Sequence, residues 1–209
     1  MRGLFIVFDG IDGCGKSTQL TLAAERLKRD GYPIVMTREP GGTAISEKIR
    51  SIVLSHDNKE MVSECELLLY AAARAQHVHE KIEPALEQGM MVLCDRFDSA
   101  TIAYQGFGRN ISLSLLEAIN TVAVGRLQPD LTFIFDISIT AAFSRLSAMK
   151  KSHDRLESSG RSFFSRVAEG YRTIALKNPA KIVLLDGESA IEELGEMVYK
   201  KIKETIVTV

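Results

Sequence analysis

The sequence contains no tryptophan and only three cysteines, Cys14, Cys65 and Cys94. An odd count without paired spacing argues against a disulfide framework and fits a reducing compartment, so a cytoplasmic location is expected. A dominant charge sign is also missing: 26 Lys and Arg stand against 27 Asp and Glu, a formal net charge of -1. No overall field draws such a chain to nucleic acid or to a membrane, so an anionic ligand must be held by local positive charge. Long apolar runs are lacking too. The apolar stretch after Arg2 is too short for a signal-peptide core, and nothing approaches the roughly 18 apolar residues of a membrane span. There is no internal repeat and no low-complexity tract. What remains, with 209 residues of which 45% are hydrophobic, is a globular chain long enough for one large domain over 1–209 with a well-buried core.

What is present is G-I-D-G-C-G-K-S at 10–17, with the spacing of a phosphate-binding P-loop. Backbone N–H groups of Gly10, Ile11, Asp12, Gly13, Cys14 and Gly15 would converge on phosphate oxygens, with Lys16 reaching the β- and γ-phosphates of ATP and Ser17 ligating Mg²⁺. Thr18 follows in the first helical turn. The context agrees with the pattern. Leu4 to Phe8 is a short apolar run of strand type, and Leu20, Ala23, Ala24 and Leu27 repeat at helical spacing afterwards.

Further apolar runs at 33–37, 90–94, 131–136 and 181–185 read as four more strands, each separated from the next by helical periodicity. Five continuous apolar strands alternating with helices predict an α/β fold, a parallel sheet covered on both faces. Thr43 is placed to cap a helix carrying Ile45, Ile49, Ile52 and Val53. Ser63 and Glu66 have capping-box spacing and open a helix running to about Gln88. On that helix Leu68, Ala71, Ala72, Ala75, Val78, Ile82 and Leu86 are the expected core face, with Leu67, Tyr70, Arg74, His77 and Lys81 as a second stripe. Tyr70 and Arg74 are surface neighbours at i, i+4, a flat ring beside a planar five-donor fork suited to a nucleobase.

Ligands of such sheets bind beyond the carboxyl ends of the strands. Three of those ends carry polar motifs here: the P-loop, Arg38-Glu39-Pro40 and Asp95-Arg96. An ATP loop facing a pocket of Arg38, Arg50, Arg74 and Arg96 brings two anions together, as phosphoryl transfer between nucleotides requires. Asp95 is the favoured carboxylate for the metal because Arg96 beside it reaches toward the acceptor; Asp136, at the end of the fourth strand, is the rival. The polar segment 150–160, preceded by Arg145, lacks an apolar period and reads as a lid of about 149–160, with Lys150, Lys151 and Arg155 available to close over the triphosphate. The segment around Asp186 and Gly187 is the expected neighbour of the adenine.

T-R-E-P-G-G-T at 37–43, A-A-R-A-Q-H at 72–77, D-R-F-D-S-A-T-I-A-Y-Q-G at 95–106 and D-R-L-E at 154–157, spaced behind this P-loop, resemble the thymidylate kinase family over nearly the whole chain. The resemblance implies the nucleoside monophosphate kinase fold, transfer of the ATP γ-phosphate to dTMP, and a cytoplasmic homodimer. It also implies roles for individual residues. Arg96 and Arg50 would hold the dTMP phosphate, Tyr70 would stack on thymine where the family usually has Phe, and Arg74 would donate to a base carbonyl. Thr101 and Gln105 would read the rest of the base edge, while Tyr104 would lie under the sugar. Asp12 would approach the sugar 3′-hydroxyl or the metal, and Glu39 and Pro40 would border the acceptor. Gly13 stands where one branch of the family has a catalytic Arg, so the chain resembles the bacterial branch, whose lid supplies that cation; Arg145, Lys150, Lys151 and Arg155 are the candidates. Two rival readings are a kinase for another nucleoside monophosphate and a P-loop ATPase or switch acting on a protein. Against the second, there is no N-K-x-D and no L-S-G-G-Q element.

Overall fold

The computed structural model describes residues 2–148, 155–156 and 159–208. Its centre is β1 (Phe5–Asp9), every residue of which is buried. Period-two alternation sends Ile6 and Phe8 into one core and Phe5 and Val7 into another on the opposite face of the sheet. That two-sided burial is why the strand is a continuous apolar run rather than an alternating one. Around it lie β2 (Ile34–Arg38), β3 (Met91–Asp95), β4 (Leu131–Asp136) and β5 (Ile182–Asp186), in the spatial order β2-β3-β1-β4-β5 and parallel throughout. The chain leaves β1 toward β2 and β3 on one side, then passes to β4 and β5 on the other. The P-loop is thereby left at the middle of the carboxyl edge.

The helices are α1 (Lys16–Arg29), α2 (Ala44–Leu54), α3 (Ser63–His77), α4 (Glu83–Glu87), α5 (Asp98–Thr101), α6 (Leu113–Val124), α7 (Ile139–Ala148), α8 (Arg161–Lys177) and α9 (Ile191–Thr208). Leu20, Ala23, Ala24 and Leu27 of α1 are buried, as their spacing predicts, and so are Leu194, Val198 and Ile202 of α9. Thr43 does cap α2, its side chain accepting from Ser46 N.

Three local expectations differ. The segment 63–88 is not one regular helix, because wide π-type turns over Val78–Ile82 join α3 to α4. Ser63 is the first residue of α3 rather than its cap; Val62 stands at the cap position and offers no side-chain bond. The buried face of α3 is largely the stripe expected beside the core: Leu67, Arg74 and His77 are buried while Leu68 is 57% exposed. The reason is electrostatic pairing. Glu66, Arg74 and His77 all have partners on distant elements, and a fully paired polar face can be buried where an unpaired one cannot. Similarly, Val53 and Ser46 of α2 face inward while Ile45 and Ile52 are exposed.

Phe8 is fully buried between Phe133 and Phe135, so Phe8→Ala is expected to cost about 3–5 kcal/mol in denaturant unfolding. Leu176→Ala, at a side chain 80% exposed, should cost within about 0.5 kcal/mol. Equal costs at the two positions would contradict this assignment of the core.

Candidate active site

The loop between β1 and α1 is shaped by glycines at left-handed angles. Gly13 has φ +81°, and a Cβ there would lie 2.7 Å from the Ala142 carbonyl oxygen, so only glycine fits without moving α7. Ile11 and Cys14 turn their side chains into the core, leaving the loop's backbone for the ligand. Helix α1 opens at Gly15 with no acidic residue in its first turn; its N–H groups and positive dipole end therefore remain open to an anion. Lys16 Nζ lies 3.7 Å from Asp12 Oδ1 and 4.0 Å from Asp95 Oδ1. Burial and Arg96 work against its charge, but Asp95 and Asp12 more than offset them and raise its pKa. Ser17 Oγ donates to Asp95 Oδ2 at 2.5 Å.

Arg96, just beyond β3, has φ +70°, an angle uncommon outside glycine that costs on the order of 1–3 kcal/mol. Its backbone N–H is fixed by the Phe8 carbonyl at 2.9 Å. The unusual backbone aims the guanidinium back across the P-loop. Nη1 donates to Gly10 O at 2.7 Å, with Tyr171 Oη and Asp9 Oδ1 at 3.1 and 3.4 Å, and Nη2 donates to Asp12 Oδ1 at 2.7 Å. Of five N–H groups, Nε–H and one on Nη2 take no acceptor among the described residues. Burial raises the Asp12 pKa, but Arg96 and Lys16 outweigh it and hold the carboxyl well below the usual range. At Asp9 burial prevails over Arg96, Ser99 and Tyr171, and the pKa is raised.

Arg74 reaches the same cleft from α3 and is 2% exposed. Its Nε donates to Glu39 Oε2 at 2.7 Å, Nη1 to Thr101 Oγ1 and Asn120 Oδ1 at 2.8 Å each, and Nη2 to Phe97 O at 2.8 Å. Four of its five N–H groups are thus committed within the protein, and one on Nη2 remains for a ligand. Glu39 is held on its other oxygen by His77 Nδ1 at 3.0 Å, and His77 Nε2 lies 2.7 Å from Thr37 Oγ1. Arg50 Nη1 donates to Pro40 O at 2.8 Å. Tyr104 donates to Asp12 Oδ2 at 3.1 Å, and the Arg96 guanidinium lies 5.0 Å from its ring centre.

These groups line one cleft of about 300 Å³, which brings together Asp12, Lys16, Ser17, Asp95 and Arg96 with Arg38, Glu39, Pro40, Arg50, Tyr70, Arg74, Thr101, Tyr104 and Gln105. The remaining candidates lie apart from it. Thr18 is exposed on α1. Arg145 donates to Gly13 O at 3.3 Å and to Gly187 O at 2.9 Å, which sets it behind the P-loop beside the segment expected near adenine. Asp136, the rival metal carboxylate, is paired with Arg172 at 2.8 Å. Arg155 is bonded to Glu66 at 2.5 Å and to Val53 O at 2.9 Å, away from the loop. Lys150 and Lys151 lie outside the described residues. Asp9, Glu66, His77, Ser99, Asn120 and Tyr171 were not singled out for the site from sequence. Asp9 has a local signal, as a carboxylate closing an apolar strand directly before the P-loop, and His77 and Ser99 lie within the motifs at 72–77 and 95–106.

A P-loop at the centre of a parallel sheet, facing a pocket of buried and half-buried arginines across the same edge, defines a P-loop nucleoside monophosphate kinase. The family model described as thymidylate kinase matches residues 8–198. The thymidylate kinase of Exiguobacterium sibiricum is 46% identical over 202 residues, covering 97% of this chain and 95% of its own length. That of Citrifermentans bemidjiense is 44% identical over 207 residues, covering 97% and 92%. The crystal structure of thymidylate kinase from Ehrlichia chaffeensis is similar with a TM-score of 0.79 at 35% identity, covering 97% of this chain and 99% of that one. The chain belongs to the thymidylate kinase family.

Because Arg74 neutralises a Glu39 carboxylate that is 6% exposed, Arg74→Ala leaves a buried charge unpaired and should lower unfolding stability by about 3–5 kcal/mol. A loss below about 1 kcal/mol would show that Glu39 is not held in this way.

Proposed function

We propose that this chain transfers the γ-phosphoryl group of ATP to dTMP, giving dTDP and ADP. The observation that carries the reading is the single cleft in which Lys16, Ser17 and Asp12 of the phosphate loop meet Arg50, Tyr70, Arg74, Arg96 and Gln105. In the transfer, a dTMP phosphate oxygen forms a bond to the γ-phosphorus as the bond to the β–γ bridging oxygen breaks. Such a reaction asks the protein for in-line placement and charge stabilisation rather than covalent chemistry.

The P-loop backbone and Lys16 hold the donor phosphates, while the two uncommitted N–H groups of Arg96, with Arg50, hold the acceptor phosphate. Tyr70 stacks on the base, the remaining Arg74 N–H meets a base carbonyl, and Thr101 and Gln105 complete the edge. Tyr104 lies under the sugar. Asp12 and Glu39 orient these cations. Arg145 and the lid residues Lys150 and Lys151 are the candidates for charge over the transferring group, whereas Arg155 is bonded to Glu66 and Val53 O. Ser17 Oγ and the Asp95 carboxylate are hard oxygen donors within bonding distance of each other, which suits Mg²⁺ that keeps most of its waters. When bound, the ion neutralises charge on the β- and γ-phosphate oxygens.

The same reading takes residues 1–209 as one domain with a lid at about 149–160, supported by one five-stranded sheet among the described residues. It also takes the protein to be a cytoplasmic homodimer. All three cysteines are free, and among the described residues no helix is long and apolar enough to cross a membrane. Exposed Ile45 and Ile52 on α2, Leu68 on α3 and Val122 on α6 offer the apolar surface that a partner copy would cover.

The test is kcat/KM for dTMP, dUMP, dCMP, dGMP and dAMP at equal ATP. Preference for dTMP is expected. A higher value for another acceptor would replace the substrate assignment, and ATP consumption independent of any acceptor would favour an ATPase instead.

A further inference from the structure

Glu66, at capping-box spacing from Ser63 in the sequence, is 1% exposed and is bonded to Gln105 of the cleft wall. Its Oε1 accepts from Gln105 Nε2 at 2.9 Å and Arg109 Nε at 3.2 Å; its Oε2 accepts from Arg109 Nη2 at 3.1 Å and Arg155 Nη2 at 2.5 Å. Burial disfavours its charge, but the bonds from Arg109, Gln105 and Arg155 outweigh that and lower its pKa. Glu66 is therefore an acceptor only.

A carboxylate has no proton to give, so the end of the Gln105 amide that faces it must be the NH₂. This settles an orientation that is otherwise ambiguous for a glutamine. The amide oxygen then points away from Glu66, and Gln105 lines the cleft with Arg74, Thr101 and Tyr70. Among the described residues no donor takes that oxygen. Nor is it sealed off, since among the described residues the fully buried side-chain atom left without a partner is Gln19 Oε1. The wall thus sets an acceptor, Gln105 Oε1, beside a donor, the remaining Arg74 N–H. That pair matches a pyrimidine presenting a ring N–H beside a carbonyl. A pyrimidine with a ring acceptor beside an amino group mismatches at both points, and an amide free to turn over would relax the first of them.

We propose that Glu66 is a positioning residue that locks the Gln105 amide with its oxygen toward the base and so restricts the acceptor to pyrimidines carrying an imide edge. The proposal rests on the dTMP reading above. Glu66→Gln keeps the shape but lets position 66 donate as well as accept, which removes the reason for a single orientation.

Steady-state kinetics of the full chain, wild type and Glu66→Gln, are measured with dTMP, dUMP and dCMP, alongside Tm. dTMP and dUMP share the imide edge, so their kcat/KM should fall together by about tenfold, mainly through KM, without a matching fall for dCMP. The dTMP:dCMP ratio then drops about tenfold while dTMP:dUMP stays within about twofold. A uniform fall for all three acceptors, or no change, overturns the proposal. Should the variant not fold, the wild-type Gln105 side-chain amide, assigned by its loss in Gln105→Asn, gives a second readout by NMR. Slow amide exchange with and without dTMP supports the lock, and fast exchange overturns it. A wild-type enzyme that does not prefer dTMP would defeat the functional reading. Wild-type preference combined with a uniform fall in the variant defeats only the role of Glu66.

Discussion

The guanidinium of Arg96 ties the phosphate loop to the acceptor side of the cleft, and much of the surrounding structure exists to hold it there. It bonds the Gly10 carbonyl and Asp12 within the loop and, more weakly, the fully buried Asp9 carboxylate. Asp9 is itself held by Ser99 Oγ at 2.5 Å and Tyr171 Oη at 2.5 Å. Arg96 reaches these groups from a left-handed backbone, φ +70°, which a strand end would not adopt without compensation. Strain of this kind persists where surrounding bonds over-determine it and where geometry serves chemistry. A lysine could supply the charge but not the fork that meets loop and ligand at once.

A second buried network sets the acceptor pocket. Thr37, His77, Glu39, Arg74, Thr101 and Asn120 form a continuous chain of hydrogen bonds linking β2, α3, α5 and α6. Because four Arg74 N–H groups are used inside the protein, the fifth is presented with little freedom, the preorganisation that discrimination between bases needs. Glu66 does the same for Gln105 from about two turns earlier on the helix. Both half-sites are therefore built from ionised groups that neutralise one another, which keeps a strongly charged cleft stable before any nucleotide arrives.

Features set by neighbouring residues are legible in the sequence, and those set by contacts between distant segments are not. The P-loop is contiguous, and its role follows from spacing and from the strand and helix that flank it. The strands were visible as apolar runs because they are buried on both faces, and 131–136 was read at the bounds that β4 has. The order of those strands depends on packing between segments far apart in the chain and left no local trace. Of the core face expected from 68 to 86, Ala71, Val78, Ile82 and Leu86 are buried while Leu68 and Ala72 are exposed; Arg74 and His77 are buried as well, although they look like solvated residues until their partners on other elements are known. Glu66 had the spacing of a cap, yet its acceptors' partners come from positions 105, 109 and 155. Tyr171, 162 residues from Asp9, had no sequence signal as a site residue. The cleft residues Arg50, Tyr70, Arg74 and Gln105 were legible mainly through family resemblance, since an arginine or tyrosine on a helix has no fixed meaning alone.

The Arg96 fork, rather than its charge alone, joins the two halves of the cleft. The direct measurement is kcat/KM for dTMP in Arg96→Lys, taken where circular dichroism shows the variant folded. A loss of about 100-fold or more is expected, the scale that follows when a positioning clamp is lost while charge is retained. A value within about threefold of wild type would mean that positive charge at residue 96 suffices, and would contradict it.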